Sequence, residues 1–252
     1  MELVLLADTL NNYFEPENLH AALEVLDAAG YRVHVARSPG AARPLCCGRS
    51  FLAAGLVDEA RAEQRRLIDT LHPYAARGVP LLGLEPSCLL TLRDELRALW
   101  PAGSVGAIAE QALTLEEFVA RERRAGRWKL QLAPLAAKRV LLHGHCHQKA
   151  FGIMPQVEST LRLVPGLEIE PVMSSCCGMA GAFGYEAEHF DLSLRMGEAS
   201  LLPKVRQAPA DALVVADGVS CRHQIRDGTG RQALHAVRVL RSALQRPLAS
   251  SH

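Results

Sequence analysis

The chain has 252 residues, which is enough to bury a core in one large or two small domains. Lysine and arginine number 28 against 27 aspartates and glutamates, so no strong net charge favours nucleic acid or an anionic membrane as a partner. The longest apolar runs are strand-sized and fall short of the roughly 18 residues that a membrane-spanning helix needs.

The amino terminus has no cationic segment, and its apolar stretch is too short for a signal peptide. The sequence therefore predicts a cytoplasmic protein. The seven cysteines, in a reducing compartment, favour metal or redox chemistry over a disulfide framework.

The first 120 residues predict alternating strands and helices. Residues 3–7, 31–36 and 79–84 have the pattern of strands, and residues 16–30, 56–77 and 92–100 that of helices. Thr114 and Glu117 form a capping box that opens a helix over residues 115–121. The arginine-rich stretch that follows predicts a solvated connector, which we extend over residues 121–138.

Residues 139–252 repeat this order of elements. Strands are expected at residues 139–142, 167–172 and 212–216, and helices after Pro155, over residues 187–205 and over residues 234–244. The pairs Asp217-Gly218 and Asp227-Gly228 predict turns. Two copies of one unit predict an α/β fold of two Rossmann-like halves, 1–120 and 139–252, each with a mainly parallel sheet and related by a pseudo-two-fold axis.

The cysteines follow the same repeat. A Cys-Cys-Gly sequence occurs once in each half and is followed about 40 residues later by a Ser-Cys pair. The copies are Cys46-Cys47-Gly48 with Ser87-Cys88, and Cys176-Cys177-Gly178 with Ser220-Cys221; Cys146 completes the seven. In sheets of this kind, sites form beyond the carboxyl ends of the strands, and every cysteine is predicted to lie there.

Four cysteines of the second half suit an iron–sulfur cluster, which needs four thiolates around a compact cage. They are Cys146, Cys176, Cys177 and Cys221. Adjacent cysteines can bind two irons of one cluster more easily than one metal ion, which favours a 4Fe–4S cluster over zinc. Gly178 allows a positive φ after the pair, and Gly181 and Gly184 would let backbone N–H groups approach the cluster sulfurs.

Several alternatives stay open at this point. Four thiolates also suit zinc, and a Cys-Cys pair can be two buried small side chains without a metal. Cys46 and Cys47 can instead undergo thiol–disulfide exchange. His143, His145 and His147 would share one face of an extended segment, opposite Cys146, and are more simply hydrogen-bonded structural residues than ligands. Lys149, Arg222 and His223 would raise the cluster potential if they face it.

These motifs resemble the cysteine-rich CCG-domain family, which includes the CCG-containing subunit of heterodisulfide reductase and the iron–sulfur parts of glycolate and lactate oxidation systems. The chain is most similar to the carboxyl-terminal region of bacterial FAD-linked dehydrogenases for D-lactate and D-2-hydroxyglutarate. The matching segments are residues 8–14, 84–88, 143–147, 176–181 and 216–221.

The resemblance implies electron transfer from a reduced flavin to a downstream acceptor. It implies FAD on a partner subunit or domain, a ferredoxin-type iron–sulfur domain as a further partner, and membrane contact only through a partner. No nucleic acid is expected. The chain carries no flavin fold and no ferredoxin-type cysteine run, so it is not expected to act as a dehydrogenase by itself.

The first half departs from the family pattern. Leu10 and Asn11 are predicted to stand where Cys146 stands in the second half, and Glu85 and Gly218 replace the first cysteine of a Cys-x-x-Cys pair. These departures argue against five-cysteine noncubane clusters. Three alternatives are open for the first-half cysteines Cys46, Cys47 and Cys88. They hold a second centre completed by a non-cysteine ligand such as Asn11 or Glu85, or they hold zinc, or they hold no metal.

Overall fold

The computed structural model describes residues 1–38 and 43–245 as two parallel sheets of four strands each. The strands of the first sheet, in the order β2-β1-β3-β4, are β1 (Glu2–Leu5), β2 (Arg32–Val35), β3 (Leu81–Gly83) and β4 (Ala112–Thr114). Those of the second, in the order β6-β5-β7-β8, are β5 (Arg139–His143), β6 (Glu168–Pro171), β7 (Leu213–Ala216) and β8 (Ala233–Leu234). The predicted α/β fold of two similar halves is confirmed.

Helices flank both sheets. In the first half they are α1 (Thr9–Tyr13), α2 (Pro16–Ala28), α3 (Arg49–Ala53), α4 (Val57–Ala75), α5 (Pro86–Thr91), α6 (Glu95–Leu99), α7 (Ala102–Gln111) and α8 (Leu115–Arg124). In the second half they are α9 (Cys146–Ala150), α10 (Met154–Leu161), α11 (Phe190–Glu198), α12 (Leu201–Gln207), α13 (Val219–Thr229) and α14 (Ala236–Ser242), with a 3-10 turn at Phe183–Tyr185.

Strand pairing gives the register that relates the halves. Leu5 of β1 pairs with Leu82 of β3, and Leu142 of β5 pairs with Val215 of β7. In the strand order of the first sheet, β2 lies next to β1 at one edge, and β4 lies next to β3 at the opposite edge. The gap between the carboxyl ends of β1 and β3, and likewise of β5 and β7, is therefore a topological switch point where such sheets bind ligands.

The two halves share one hydrophobic core. Helix α2 packs against α14, and α8 packs against α10, so the same contact occurs twice with the halves exchanged. Leu26, Phe118, Leu161 and Val237 lie in this core with almost no exposed surface. This repeated exchange is what a two-fold relation between the halves requires.

Polar contacts also cross between the halves at the switch points. The Glu85 carboxylate accepts a hydrogen bond from the backbone N–H of Val219 at 2.9 Å. The buried ring of His235 lies 2.9 Å from the carbonyl oxygen of Leu84, and Arg222 forms a buried ion pair with Glu15. Because these groups are buried, separating the halves would leave charged and polar atoms without partners.

A buried acidic pair lies in the same region. Ligand atoms of Glu116, Asp217 and His235 lie within 4.8 Å of one another. Asp217 accepts hydrogen bonds from Gln148 at 2.8 Å and from the Ala236 N–H at 2.9 Å, whereas one Glu116 oxygen has no protein partner. Burial, and next the charge of Asp217, raise the pKa of Glu116 to about 8. Glu116 is therefore neutral in the folded protein at neutral pH.

Several predicted elements differ in the structure. The single helix expected over residues 187–205 is two helices, because Ser200 has non-helical dihedral angles (φ −159°, ψ −44°) between α11 and α12. The short elements α5, α7, β4 and β8 were not predicted, since strands and helices of this length give weak periodicity. The last helix begins at Ala236 and not at Leu234.

Two local predictions were wrong because each segment belongs to a helix that the sequence had not indicated, α13 and α9. Asp227 and Gly228 lie inside α13 and do not form a turn. The histidine segment is not extended, because His145 caps α9, which begins at Cys146. Helix α8 runs on to Arg124, and the domain limits at residues 120 and 138 remain predictions.

We expect the stability of the metal-free, reduced protein to fall between about pH 5 and pH 8 because of Glu116. Its pKa is about 8 when folded against an ordinary value of 4.5, so its contribution is fully present below the ordinary value and lost as the pH rises through about 8. Urea unfolding of Glu116→Gln should show a shallower decline, since the amide does not ionise. The exposed Glu110→Gln serves as control, and equal slopes in both variants would contradict the assignment.

Candidate metal centre

Four cysteines of the second half meet at the carboxyl edge of its sheet. Cys146 begins α9 directly after β5, and Cys221 lies in the first turn of α13 after β7. Cys176 and Cys177 lie in the loop that follows β6. Side-chain interactions link the sulfurs in the order Cys146, Cys176, Cys177, Cys221. The switch point thus gathers all four predicted second-half thiols.

The four thiols shift one another's pKa values in opposite directions. Hydrogen bonding from Cys146 lowers the pKa of Cys176, and hydrogen bonding from Cys177 lowers the pKa of Cys221. The donors respond oppositely, because hydrogen bonding to these partners and then burial raise the pKa of Cys146 and of Cys177. Thiolates therefore already have stabilising partners here, and thiolates are the form that binds metals.

Backbone N–H groups surround the vicinal pair. Gly178 donates to the Cys176 sulfur at 3.3 Å, and the backbone of Ala180 also lowers the pKa of Cys176. Ala180 has φ +42°, the one positive φ among the described non-glycine residues. Of the two predicted donors, Gly184 donates to the Met179 carbonyl, whereas the carbonyl of Gly181 accepts from Ser220 and an N–H contact of Gly181 to sulfur stays a prediction. Residues 178 to 180 are the ones whose backbone stabilises negative charge on sulfur.

Gly178 is required by a close backbone contact. Its φ is +101°, and a Cβ atom there would lie 2.1 Å from the carbonyl oxygen of Ser193 in α11. Gln224 donates to the same carbonyl at 3.2 Å from α13. The Cys-Cys-Gly loop therefore packs closely against α11. The Gln224 bond links α11 to α13, the helix that carries Cys221, and so fixes the loop relative to that cysteine.

His143 places an unpaired nitrogen beside the sulfurs. The residue is 1% exposed, and its Nδ1 atom lies 2.9 Å from the Ser174 hydroxyl. The Nε2 atom is buried without a protein partner, and a ring nitrogen lies within 4.8 Å of the Cys177 and Cys221 sulfurs. Such an orphaned group fits a site that holds a further acceptor or metal.

The three basic residues that the sequence places near the second-half cysteines lie in different places, and burial lowers the pKa of His223. Lys149 donates to the carbonyl of Ser175 at 3.3 Å, and burial lowers its pKa while all four thiols of the site oppose the shift. Arg222 donates to the Ala216 carbonyl of β7 and, across to the first half, to the Glu15 carboxylate. His223 lies 2.6 Å from the Tyr185 hydroxyl. Lys149 is thus the cation that interacts with the whole thiol cluster.

The first half builds a similar cluster with one change. Side-chain interactions link Cys46, Cys47 and Cys88, and the hydroxyl of Thr9 interacts with Cys46. In the strand register Thr9 corresponds to Cys146, since Leu5 corresponds to Leu142. The prediction that Leu10 or Asn11 stands at this position was therefore wrong by one or two residues.

The two non-cysteine ligands considered for the first half have other contacts. Asn11 is buried and bonds Asp8 at 2.8 Å and Asn18 at 3.0 Å. Glu85 accepts from the Ser87 hydroxyl at 2.6 Å as well as from Val219. Both side chains thus stabilise the starts of helices. Their side-chain oxygens already have hydrogen-bond partners and are not free to bind a metal.

The surroundings of the first cluster are acidic. Burial raises the pKa of Asp8 to about 6. Hydrogen bonding from Cys47 favours the Cys88 thiolate, but burial and the charges of Asp8 and Glu85 outweigh it and raise the pKa of Cys88 to about 11. Asp8 and Glu85 occupy the positions that His145 and Gly218 hold in the second half.

Sequence reasoning missed the residues that support these sites. Thr9, Ala180 and Asp217 lie in segments that the sequence singled out, but only the strand register, the backbone angles and the hydrogen bonds give them a role. Asp8 and His145 are helix caps of α1 and α9. Their position just after a strand was the available signal.

The comparisons with known proteins agree with this geometry. Residues 140–226 match the family model described as "CCG: Cysteine-rich domain". A subunit of the anaerobic glycerol-3-phosphate dehydrogenase of Escherichia coli is 29% identical over 234 residues, which cover 92% of this chain and 57% of that protein. The residues that match the family model include all four cysteines of the second site.

Two further relatives differ in length. "D-2-hydroxyglutarate dehydrogenase" of Pseudomonas putida is 29% identical over 250 residues, covering 97% of this chain and 22% of that protein. "Lactate utilization protein A" of a Geobacillus species is 25% identical over 264 residues, covering 96% of this chain and 100% of that protein. The chain thus spans 57% of the first relative's length and a smaller part of the dehydrogenase.

We expect Gly178→Ala to destabilise the metal-free protein more than Gly166→Ala does. Both glycines have positive φ, so both substitutions cost about 1 kcal/mol of backbone strain. Only Gly178 adds a clash with a backbone oxygen, whereas Gly166 has no neighbour within 4 Å. Urea unfolding measures the difference, and equal losses would show that the loop is not held against α11.

Proposed function

Because residues 140–226 of the chain belong to the CCG cysteine-rich family, we propose that the protein is an iron–sulfur electron-transfer module of an FAD-linked dehydrogenase system. The observation that carries the proposal is the linked set of four sulfurs at the second switch point. Two of its members are vicinal, which suits a polynuclear centre better than a single ion.

The proposed cofactor is a 4Fe–4S cluster held by Cys146, Cys176, Cys177 and Cys221. Bound there, it would supply one-electron chemistry. The chain contributes the four thiolates, backbone N–H donors and the Lys149 ammonium, which together offset the negative charge of the thiolates. His143 would donate its unpaired Nε2–H to a sulfur and so stabilise the reduced state.

The proposed electron donor is an FAD-bearing dehydrogenase subunit or domain that oxidises a 2-hydroxy acid or a similar alcohol. The names of the relatives support it, since they are a dehydrogenase, a dehydrogenase subunit and a lactate utilization protein. Cys146 and Cys176 are partly exposed, while Cys177 and Cys221 are buried, so one edge of the cluster would face a partner. Met173, three residues before Cys176 in the sequence, is 89% exposed, and Tyr185 is 58% exposed.

We extend the proposal to the cellular setting. A ferredoxin-type domain would receive the electrons, and contact with a membrane would run through a partner. Among the described residues no helix is both long and apolar enough to cross a membrane. The seven cysteines are all free thiols, which supports a reducing, cytoplasmic location.

Metal analysis tests the proposal. Protein isolated without oxygen should be brown and contain about four irons and four sulfides for the second site. Cys177→Ser should abolish this signal, because it removes a central ligand, whereas Cys88→Ser should leave it intact. Stoichiometric zinc without labile sulfide would contradict the electron-transfer function and favour a docking module in which His143, Cys177 and Cys221 bind zinc.

His143→Leu should keep the cluster, because the ring is not one of the four proposed ligands and Leu6 occupies the corresponding position in the first half. The substitution should lower the reduction potential, because it removes a hydrogen-bond donor to a cluster sulfur. Potentiometric titration followed by EPR measures the shift. His143→Gln retains an N–H donor and should fall between the wild type and the leucine variant. An unchanged potential in both variants would show that the ring does not reach the cluster.

A further inference from the structure

The cysteines of the first half form a second site that lacks one ligand. We propose that Cys46, Cys47 and Cys88 bind a three-iron, 3Fe–4S cluster whose vacant corner faces the hydroxyl of Thr9. The inference concerns a different site from the proposed electron-transfer cluster and does not depend on it.

The order of side-chain contacts supports the proposal. In the second half the chain of contacts runs from Cys146 through the vicinal pair to Cys221. In the first half it runs from Thr9 through Cys46 and Cys47 to Cys88. The two series occupy corresponding positions at equivalent switch points of the two sheets.

The vicinal pair of the first half is also held in the same way. Gly48 has φ +79° and donates to the Cys46 sulfur at 3.4 Å, as Gly178 does to Cys176. A Cβ atom on Gly48 would lie 2.8 Å from the Ala60 carbonyl oxygen of α4. Gln64 of the same helix donates to the Cys47 carbonyl at 3.2 Å. These contacts fix the position of the loop and of its two sulfurs. Two cysteines that served only to fill the core would not require them.

Thr9 decides how many irons the site retains. A threonine hydroxyl is neutral and stays protonated near neutral pH, so it binds iron far more weakly than a thiolate does. Three thiolates hold three irons, and the iron at the fourth corner would have no anionic ligand. A cluster that binds three irons firmly is the expected result.

Charge disfavours a fourth thiolate at the position of Thr9. The first site has Asp8 and Glu85 where the second has His145 and Gly218, and Asn12 stands where the second site has Lys149. A fourth thiolate would add a negative charge next to two carboxylates. Three thiolates and a neutral hydroxyl carry one negative charge fewer, which reduces this repulsion.

The test uses the full chain with Cys177→Ser, which removes the second site. After anaerobic reconstitution with ferrous iron and sulfide, this protein should hold about three irons and, when oxidised, give the EPR signal of a three-iron cluster. Adding Thr9→Cys should raise the content to about four irons and abolish that signal, because the corner gains a thiolate. Leu10→Cys, one residue away, is the matched control and should leave about three irons.

A further Cys88→Ser substitution in the same background should remove the remaining iron. Circular dichroism and thermal unfolding would establish that each variant is folded. The proposal is overturned if the folded Cys177→Ser protein binds no iron, binds only zinc, or gives the same iron content and spectrum with and without Thr9→Cys. A separate Cys88→Ser protein reports the second site alone, so failure of either site is distinguished from failure of the other.

Discussion

The site depends on a close approach between the backbone of each Cys-Cys-Gly loop and the helix that follows it. Gly178 lies against the Ser193 carbonyl, and Gly48 lies against that of Ala60. Any side chain at the glycine would collide with backbone, so the loop position is fixed by sterics and not by the thiols. Two sulfurs are thus held where the strands of a parallel sheet deliver the other cysteines, so binding of the proposed cluster would require little further ordering of the loop.

The two halves have the same backbone plan but opposite electrostatics. Lys149 and the buried His143 surround the second set of thiols, whereas Asp8 and Glu85 surround the first. Burial, and next the charges of Asp8 and Glu85, raise the pKa of Cys88 to about 11, whereas hydrogen bonding from Cys177 lowers the pKa of Cys221. The two sets of thiols therefore lie in different electrostatic surroundings, and we expect any clusters bound there to differ in affinity and potential.

Much of this arrangement follows from the sequence. The repeated Cys-Cys-Gly and Ser-Cys spacing predicted two α/β halves, and strand ends such as Glu85-Pro86-Ser87-Cys88 predicted where the thiols would lie. The sequence did not reveal Thr9 as the counterpart of Cys146, because a shift of one or two residues is invisible without strand register. Nor did it reveal the left-handed backbone of Ala180, since alanine has no preference for that conformation.

Glu85 explains how a departure from the family pattern can serve the neighbouring site. It occupies the place of a cysteine in the first half, yet its carboxylate accepts the N–H of Val219, two residues before Cys221. The first N–H groups of a helix have no partner within the helix, so this bond fixes the start of α13 and with it the direction of the Cys221 side chain. A cysteine at position 85 would leave that N–H group buried without a carboxylate partner. Glu85 of the first half therefore stabilises the helix that carries Cys221, although it stands where the family pattern has a cysteine ligand.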